Sequence, residues 1–485
     1  MNQRPDIGFV VPHNGISSYS QAAGEESEKL PLRQQQPVRL QPSWEENNLP
    51  EDELNFRNLT MDEASLQLHA PIDKYKLVYM TFILNGIGVL MPWNLFITAE
   101  SYFTKHKFGV EYTGQKLIYG DSYLQFVGFA AQVPNLIFNW LNIFVQMGGN
   151  LTTRIVWSIC IEVVVFILTV ALAMTDTHEW PGTFFWITMI SVVILNMANG
   201  VYQNTIFGMA AKLPLQYTGA VVLGSNISGT FTSLVRIFSD MFASTVRMSA
   251  IYYFITALFV LLLCFDTYFA LPLNRYYRHY QLKERREISI QKNENMGVVH
   301  KIPYFYIFKK CLPQLINIFL VFSITLSIFP AVHANIKASD PDFFITEKYY
   351  TSITCFLTFN TCAMVGSYLT SFCTSPKSKY LWIPIVLRII YIPFYLLCNY
   401  HPSKDRIRAL PILINNDWVY WIVAVTMGLS SGYLSSLGMM YASKSVEPRY
   451  AATAGMFAAA ALISGIFMGV VSSFIWPWFV EHVGI

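Results

Sequence analysis

The sequence predicts an all-α, polytopic membrane protein with eleven transmembrane helices. Three observations carry that prediction. Of 485 residues, 53% are hydrophobic and only 13% charged, more apolar surface than a soluble domain needs or can hide. Apolar runs of about 20 residues, the length that crosses a hydrocarbon core of roughly 30 Å, recur from Lys76 onward with polar breaks between them. Lys and Arg crowd into one of those breaks and are absent from another.

The spans are predicted at 76–98, 121–145, 153–174, 183–208, 216–240, 250–270, 311–333, 348–372, 381–399, 416–442 and 451–476. This divides the chain into a six-helix bundle (76–270), a connecting loop (271–310) and a five-helix bundle (311–485). Ahead of them, residues 1–75 are rich in Gln, Pro, Glu and Asn and lack apolar periodicity. Such a tail cannot bury enough surface to offset its ordering entropy, so it is expected to be disordered. No signal peptide is read, and the first span is expected to act as its own insertion signal.

Charge placement sets the expected orientation. Arg275, Arg278, Lys283, Arg285, Arg286, Lys292, Lys301, Lys309 and Lys310 lie between the sixth and seventh spans, whereas the segment between the third and fourth carries only Asp176 and Glu179. The basic loop is therefore expected in the cytosol, with the N-terminus inside and the C-terminus outside. These positive charges fit topology and contact with anionic lipid better than nucleic-acid binding. The seven cysteines fall in or at the start of spans, so no disulfide framework is expected. Glu28-Lys-Leu-Pro-Leu32 only loosely resembles an acidic dileucine sorting signal, which favours the plasma membrane over an endolysosomal one.

The second span carries the strongest functional signal. Gln125, Gly128, Gln132, Asn135, Asn139 and Asn142 alternate at spacings of three and four, which puts them on one helical face. An unpaired amide costs roughly 4–8 kcal/mol to move into hydrocarbon, so this face cannot meet lipid tails. It either bonds neighbouring helices or lines a wet cavity. Asn196, Asn199 and Gln203 repeat the device in the fourth span, Ser225, Gly229, Thr232 and Arg236 in the fifth, and Asn360, Ser367 and Ser371 in the eighth. Polar but largely uncharged faces suit a path for an uncharged polar solute. Small residues at every fourth position (Ala220, Gly224, Ser228; Gly428, Gly432, Ser436; Ala461, Gly465, Gly469, Ser473) mark close helix packing.

In the first span an apolar run meets Met91-Pro-Trp-Asn94. Pro92 frees the carbonyl of Gly88, so a bend is expected there, with Leu90, Trp93 and Ile97 on one face and Asn94 beside them. Trp93 either stacks on a planar ligand or anchors the span at the interface. Glu162, Arg236, Asp240, Asp266 and Arg388 fall within or near span ends. Glu162 is expected to pair with Arg388 or Arg236, with titration the other reading. No nucleophile–base pair, phosphate loop or metal-ligand cluster is present in the sequence, which argues against an enzyme, and no cofactor is expected.

Several stretches together resemble the equilibrative nucleoside transporters: DKYK (73–76) leading to PWNLFITAESYF (92–103), QNTIFGMAAKLPLQYTGAVVLGSNISG (203–229), RYYRHYQLK (275–283), CFLTFN (355–360), SGYLSSLGMMYASKSV (431–446) and TAGMFAAAALISG (453–465). The resemblance implies a major-facilitator-like 6+5 fold and alternating access without a coupled ion. It implies a small-molecule substrate, a nucleoside or nucleobase. Carried over by position, the substrate site would use Leu90, Trp93, Asn94, Ile97, Gln132, Asn135, Asn199, Gln203, Gly224 and Ile466, with Gln203 bonding the base.

The eighth span departs from the family pattern. Where the resemblance calls for an Asp and, after Gly366, an Arg holding the ribose, this chain has Ala363 and Ser367. Charge-assisted hydrogen bonds contribute roughly 1.5–3 kcal/mol each, so losing both is expected to weaken sugar binding by some two to four powers of ten. Asn360 and Ser367 remain as polar contacts from this helix. Three readings stand at this point: a facilitator with altered sugar recognition, a same-fold carrier for another small polar solute, and a non-transporting binder.

Overall fold

A computed structural model describes residues 71–99, 102–114, 123–145, 150–242, 245–294, 302–401 and 408–483. The tail expected to be disordered lies outside these, apart from its last few residues. Eleven helical segments follow the predicted spans closely: α1 Leu77–Thr98, α2 Tyr123–Val145, α3 Leu151–Met174, α4 Pro181–Ala211, α5 Leu215–Phe242, α6 Val246–Ala270, α7 Tyr304–Ile328, α8 Thr358–Leu369, α9 with halves Trp382–Leu387 and Tyr391–Leu397, α10 Asp417–Lys444 and α11 Ala451–Ser473. A further basic helix, Arg275–Glu294, joins α6 to α7. Among the described residues, ten helices are long and apolar enough to cross a membrane. The segment missing from those ten is α2, whose amides depress its hydropathy.

Sequence chemistry starts and stops these elements. Asp73 accepts from the backbone N–H groups of Val78 (3.2 Å) and Tyr79 (3.1 Å) and from the Tyr217 hydroxyl (3.0 Å), fixing the entry to α1 against α5. Thr245 caps α6, and Asn416 caps α10 through Trp418 N–H (2.9 Å) and Val419 N–H (3.2 Å). Pro181 opens α4, where its missing N–H costs nothing. Pro92 does not end α1, which continues to Thr98. A wider π-helical turn, Thr351–Leu357, leads into α8.

The packing pattern repeats with an offset of six helices. The pairs α1–α5 and α2–α4 recur as α7–α11 and α8–α10; the contacts α2–α11 and α4–α11 recur as α5–α8 and α5–α10. Small residues let backbones touch. A β-carbon at Gly224 would lie 2.0 Å from the Ile83 carbonyl oxygen, and one at Gly432 would lie 1.9 Å from that of Ala363.

The bundle is closed at the end carrying the basic helix. There Lys212 pairs with Glu284 of that helix (2.6 Å), and nearby α4 packs tightly on α11, where Asn204 donates to the Met456 carbonyl (2.8 Å). Trp140 of α2 donates to Ser464 of α11 (3.0 Å). Towards the other end the helices part around two cavities.

Beyond α1, Lys107 is only 1% exposed and donates to Thr175 O (2.7 Å), Thr177 Oγ1 (3.1 Å) and Leu172 O (3.4 Å). Burial, reinforced by the nearby Arg247 charge, draws its ammonium down from the usual 10.5 to about 8. The unfolded chain keeps this proton up to about 10.5, whereas the folded protein releases it above about 8, so stability rises with pH across that window. Thermal unfolding of purified protein is expected to move upward between these limits, less so in Lys107→Met. An equal shift in both proteins would assign the effect elsewhere.

Candidate functional site

An inner cavity of about 160 Å³ lies at the meeting point of α1, α2, α4, α5, α7, α8, α10 and α11. It collects nine sequence-predicted residues: Leu90, Trp93 and Asn94 from α1, Gln132 and Asn135 from α2, Asn199 and Gln203 from α4, Asn360 from α8 and Ile466 from α11. An outer cavity of about 580 Å³ shares Trp93, Asn94, Gln132, Gly229, Asn360 and Ile466 with it and extends away from the basic helix. Neither described lining contains Asp, Glu, Lys or His.

The hydrogen bonding of the lining is incomplete. The buried side-chain oxygens of Gln132, Asn135 and Asn199 have no partner among the described residues. Buried acceptors left unpaired cost roughly 1–3 kcal/mol each, so three beside one cavity call for a partner that water or a polar solute entering it would supply. Other amides are locked. Asn94 donates to Ser228 (3.2 Å), Asn360 donates to Ser233 (3.1 Å), and the Gln203 oxygen accepts from Asn139 (3.4 Å).

The α2 stripe therefore divides by depth. Gln132 and Asn135 face the cavity, but Asn139 and Asn142 do not. Asn204 donates to Asn139 (2.8 Å), Asn142 donates to Asn204 (2.9 Å) and Thr205 (3.1 Å), and Arg154 donates to Asn142 (3.1 Å). That half of the stripe joins α2, α3 and α4. The Gln125 side chain lies outside the described residues.

Two predicted positions lie off the cavities, and a third is not described. Gly224 does not line either cavity; its missing β-carbon admits the α1 backbone instead. Ser367, 1% exposed, also lies off both linings, because its hydroxyl donates to the Gly432 carbonyl (3.1 Å) inside the α8–α10 contact. The Ile97 side chain lies outside the described residues.

Other lining residues were missed by the sequence analysis. Asn226 lines the inner cavity and donates to Ser367 (2.7 Å). Phe329 and Phe359 line it as a stacked pair, with centroids 4.0 Å apart and planes at 21°. Ser431 and Ser435 of α10 complete that wall. The SNIS run held a signal for Asn226, an amide between Ser225 and Gly229. A lone Phe within an apolar helix held none.

The expected ion pair of Glu162 is absent among the described residues. Arg388 donates to Thr325 (2.6 Å), Ser430 (2.5 Å) and the Met427 carbonyl (3.2 Å) in the other half of the bundle, and Arg236 lies over the Phe356 ring. Glu162 is fully buried, and neither carboxyl oxygen has a hydrogen-bond partner among the described residues. Helix adjacency, which spacing does not reveal, keeps these groups apart. Glu162→Gln keeps the shape and removes an ionisable group that gains nothing from its surroundings. Thermal unfolding is expected at an equal or higher temperature in this variant; a marked fall would reveal a partner for the carboxylate.

A bundle whose halves repeat each other around an inner cavity without charged lining residues is the architecture of a polytopic membrane protein with a central solute-sized space. The family profile described as nucleoside transporter matches residues 189–478. Equilibrative nucleoside transporter 1 of Homo sapiens is 30% identical over 455 residues, covering 84% of this chain and 98% of that protein. Equilibrative nucleoside transporter 2 of Homo sapiens is 30% identical over 456 residues, with the same coverage of 84% and 98%. Among solved structures, the major facilitator superfamily proton:xylose symporter XylE aligns with a TM-score of 0.55 at 10% identity, over 85% of this chain and 92% of that one. The chain belongs to the nucleoside transporter family, and it is a facilitative membrane transporter rather than an enzyme.

Proposed function

We propose that this transporter carries nucleosides or nucleobases through the described cavities by alternating access. The observation that carries the reading is the set of unpartnered amide oxygens of Gln132, Asn135 and Asn199 around one uncharged cavity beside Trp93. A planar base supplies what this lining asks for: N–H donors at its edge and a face for the indole. Gln203, Asn94, Leu90 and Ile466 frame the same volume.

The span count and orientation belong to the same proposal. α2 is the eleventh span, its amides turned inward, and the six-helix offset in packing supports a bundle of six (76–270) joined by the basic loop (271–310) to a bundle of five (311–485). With the basic loop cytosolic, the N-terminus is inside, the C-terminus outside, and the outer cavity opens to the exterior, at the plasma membrane. Sugar recognition differs from the family pattern, since Ala363 and Ser367 are both 1% exposed within the α8–α10 contact and Asn226 is the polar group offered beside them.

Uptake of radiolabelled uridine, adenosine and hypoxanthine in cells lacking their own carriers tests this. Saturable entry of at least one is expected, reaching equal concentrations on both sides. Entry of none, with the protein at the surface, would contradict it.

A further inference from the structure

Arg236 is the sole charged residue among those described as lining either cavity. It stands on α5 in the wall of the outer cavity, seven residues beyond Gly229, which borders both cavities. At 1.5 Å per residue that offset is about 10 Å along the helix axis. Its guanidinium carbon is 5.3 Å from the Phe356 ring centroid, and the group makes no ion pair or hydrogen bond with another described residue. Asp240 lies one turn further along α5, and its side chain is outside the described residues.

The neighbouring hydroxyls are already committed. Thr232 donates to the Ser228 carbonyl (2.7 Å) and Ser233 to the Gly229 carbonyl (2.8 Å). Among the described residues of this wall, Arg236 therefore holds the uncommitted donors, in a fork shaped for phosphate or carboxylate. A low-dielectric vestibule with one positive charge and no acid in its described lining focuses a positive potential on whatever enters. The α8 positions where the family pattern would place an acid and a base are apolar or polar here and face away, so nothing described in the inner cavity opposes an anion.

We propose that the outer cavity binds nucleosides carrying an anionic group at the sugar end, of the 5′-monophosphate class, with Arg236 as the phosphate-binding residue. This rests on the reading that the inner cavity takes the base. With the base beside Trp93 and the sugar directed outward, the 5′ substituent points along α5 towards the guanidinium. An anionic nucleoside then occupies the vestibule and competes with neutral nucleosides from that side.

The test uses labelled-uridine uptake by the full chain, with unlabelled uridine and a hydrolysis-resistant phosphonate analogue of uridine 5′-monophosphate as external competitors. The readout is the ratio of their half-inhibiting concentrations within each protein. Relative to the wild type, Arg236→Gln is expected to raise the analogue-to-uridine ratio about ten- to a hundred-fold, the scale of one lost charge-assisted contact. Added salt should weaken the analogue in the wild type and leave uridine unaffected. An unchanged ratio in Arg236→Gln, or an analogue that never competes while uridine does, would overturn the proposal. Should uridine itself not enter, the base-site reading fails separately. Thermal stabilisation of purified wild type, but not Arg236→Gln, by the analogue would then still support the anion site, and its absence would overturn that too.

Discussion

Trp93→Ala is expected to remove most uptake while leaving the protein in the membrane. The indole borders both cavities and is only partly buried against its own half of the bundle. Its loss therefore falls mainly on the substrate. Stacking of a base on an aromatic ring is worth roughly 1–3 kcal/mol by alanine substitution, which lowers uptake at low substrate by about one to two powers of ten. Trp93→Phe should recover part of it. Uptake and surface labelling measured together check this, and unchanged transport in Trp93→Ala would remove the ring from the site. Gln203→Ala is expected to reduce uptake too, but with some loss of protein, because Asn139 then loses the oxygen it donates to.

Gly432→Val is expected to have the opposite signature, loss of the protein itself. A β-carbon there would lie 1.9 Å from the Ala363 carbonyl oxygen and within 3 Å of its carbonyl carbon and α-carbon. The obstruction is backbone, so a rotamer change cannot relieve it, and α8 must move off α10. Overpacking costs typically 1–3 kcal/mol, and here the displacement would also break the Ser367 contact to the Gly432 carbonyl. Surface protein should fall several-fold in Gly432→Val and less in Gly432→Ala. Gly182→Ala in α4 is the control: open space surrounds that position, and alanine is the better helix former. Normal surface levels for Gly432→Val would mean that the α8–α10 contact is far looser than described.

How much of this was legible in the sequence depends on the kind of information required. Each of the eleven predicted apolar spans has a helical counterpart, but the basic helix Arg275–Glu294 lies in the segment expected as a loop, where no apolar run announces it. Helical phase followed as well: Gln132 and Asn135 share a face with Asn139 and Asn142. Depth did not, because spacing fixes an angle about the axis and says nothing of where the cavity ends. Partner choice was equally hidden. Glu162 and Arg388 looked complementary but lie in different halves, and Arg388 is held by Thr325, Ser430 and a backbone carbonyl. Gly224, taken from family resemblance, and Ser367, taken from the polar stripe of the eighth span, turned out to serve helix contacts. Phe329 and Phe359 form a wall that only the folded chain brings together.

In the proposed function the amides of α2 and α4 hold the solute beside Trp93. A structure determined with uridine bound tests it most directly. The base is expected against the Trp93 ring, with its edge within hydrogen-bond distance of Gln132, Asn135 or Asn199. Uridine seated elsewhere, or the cavity occupied with those amides turned away from the base, would contradict it.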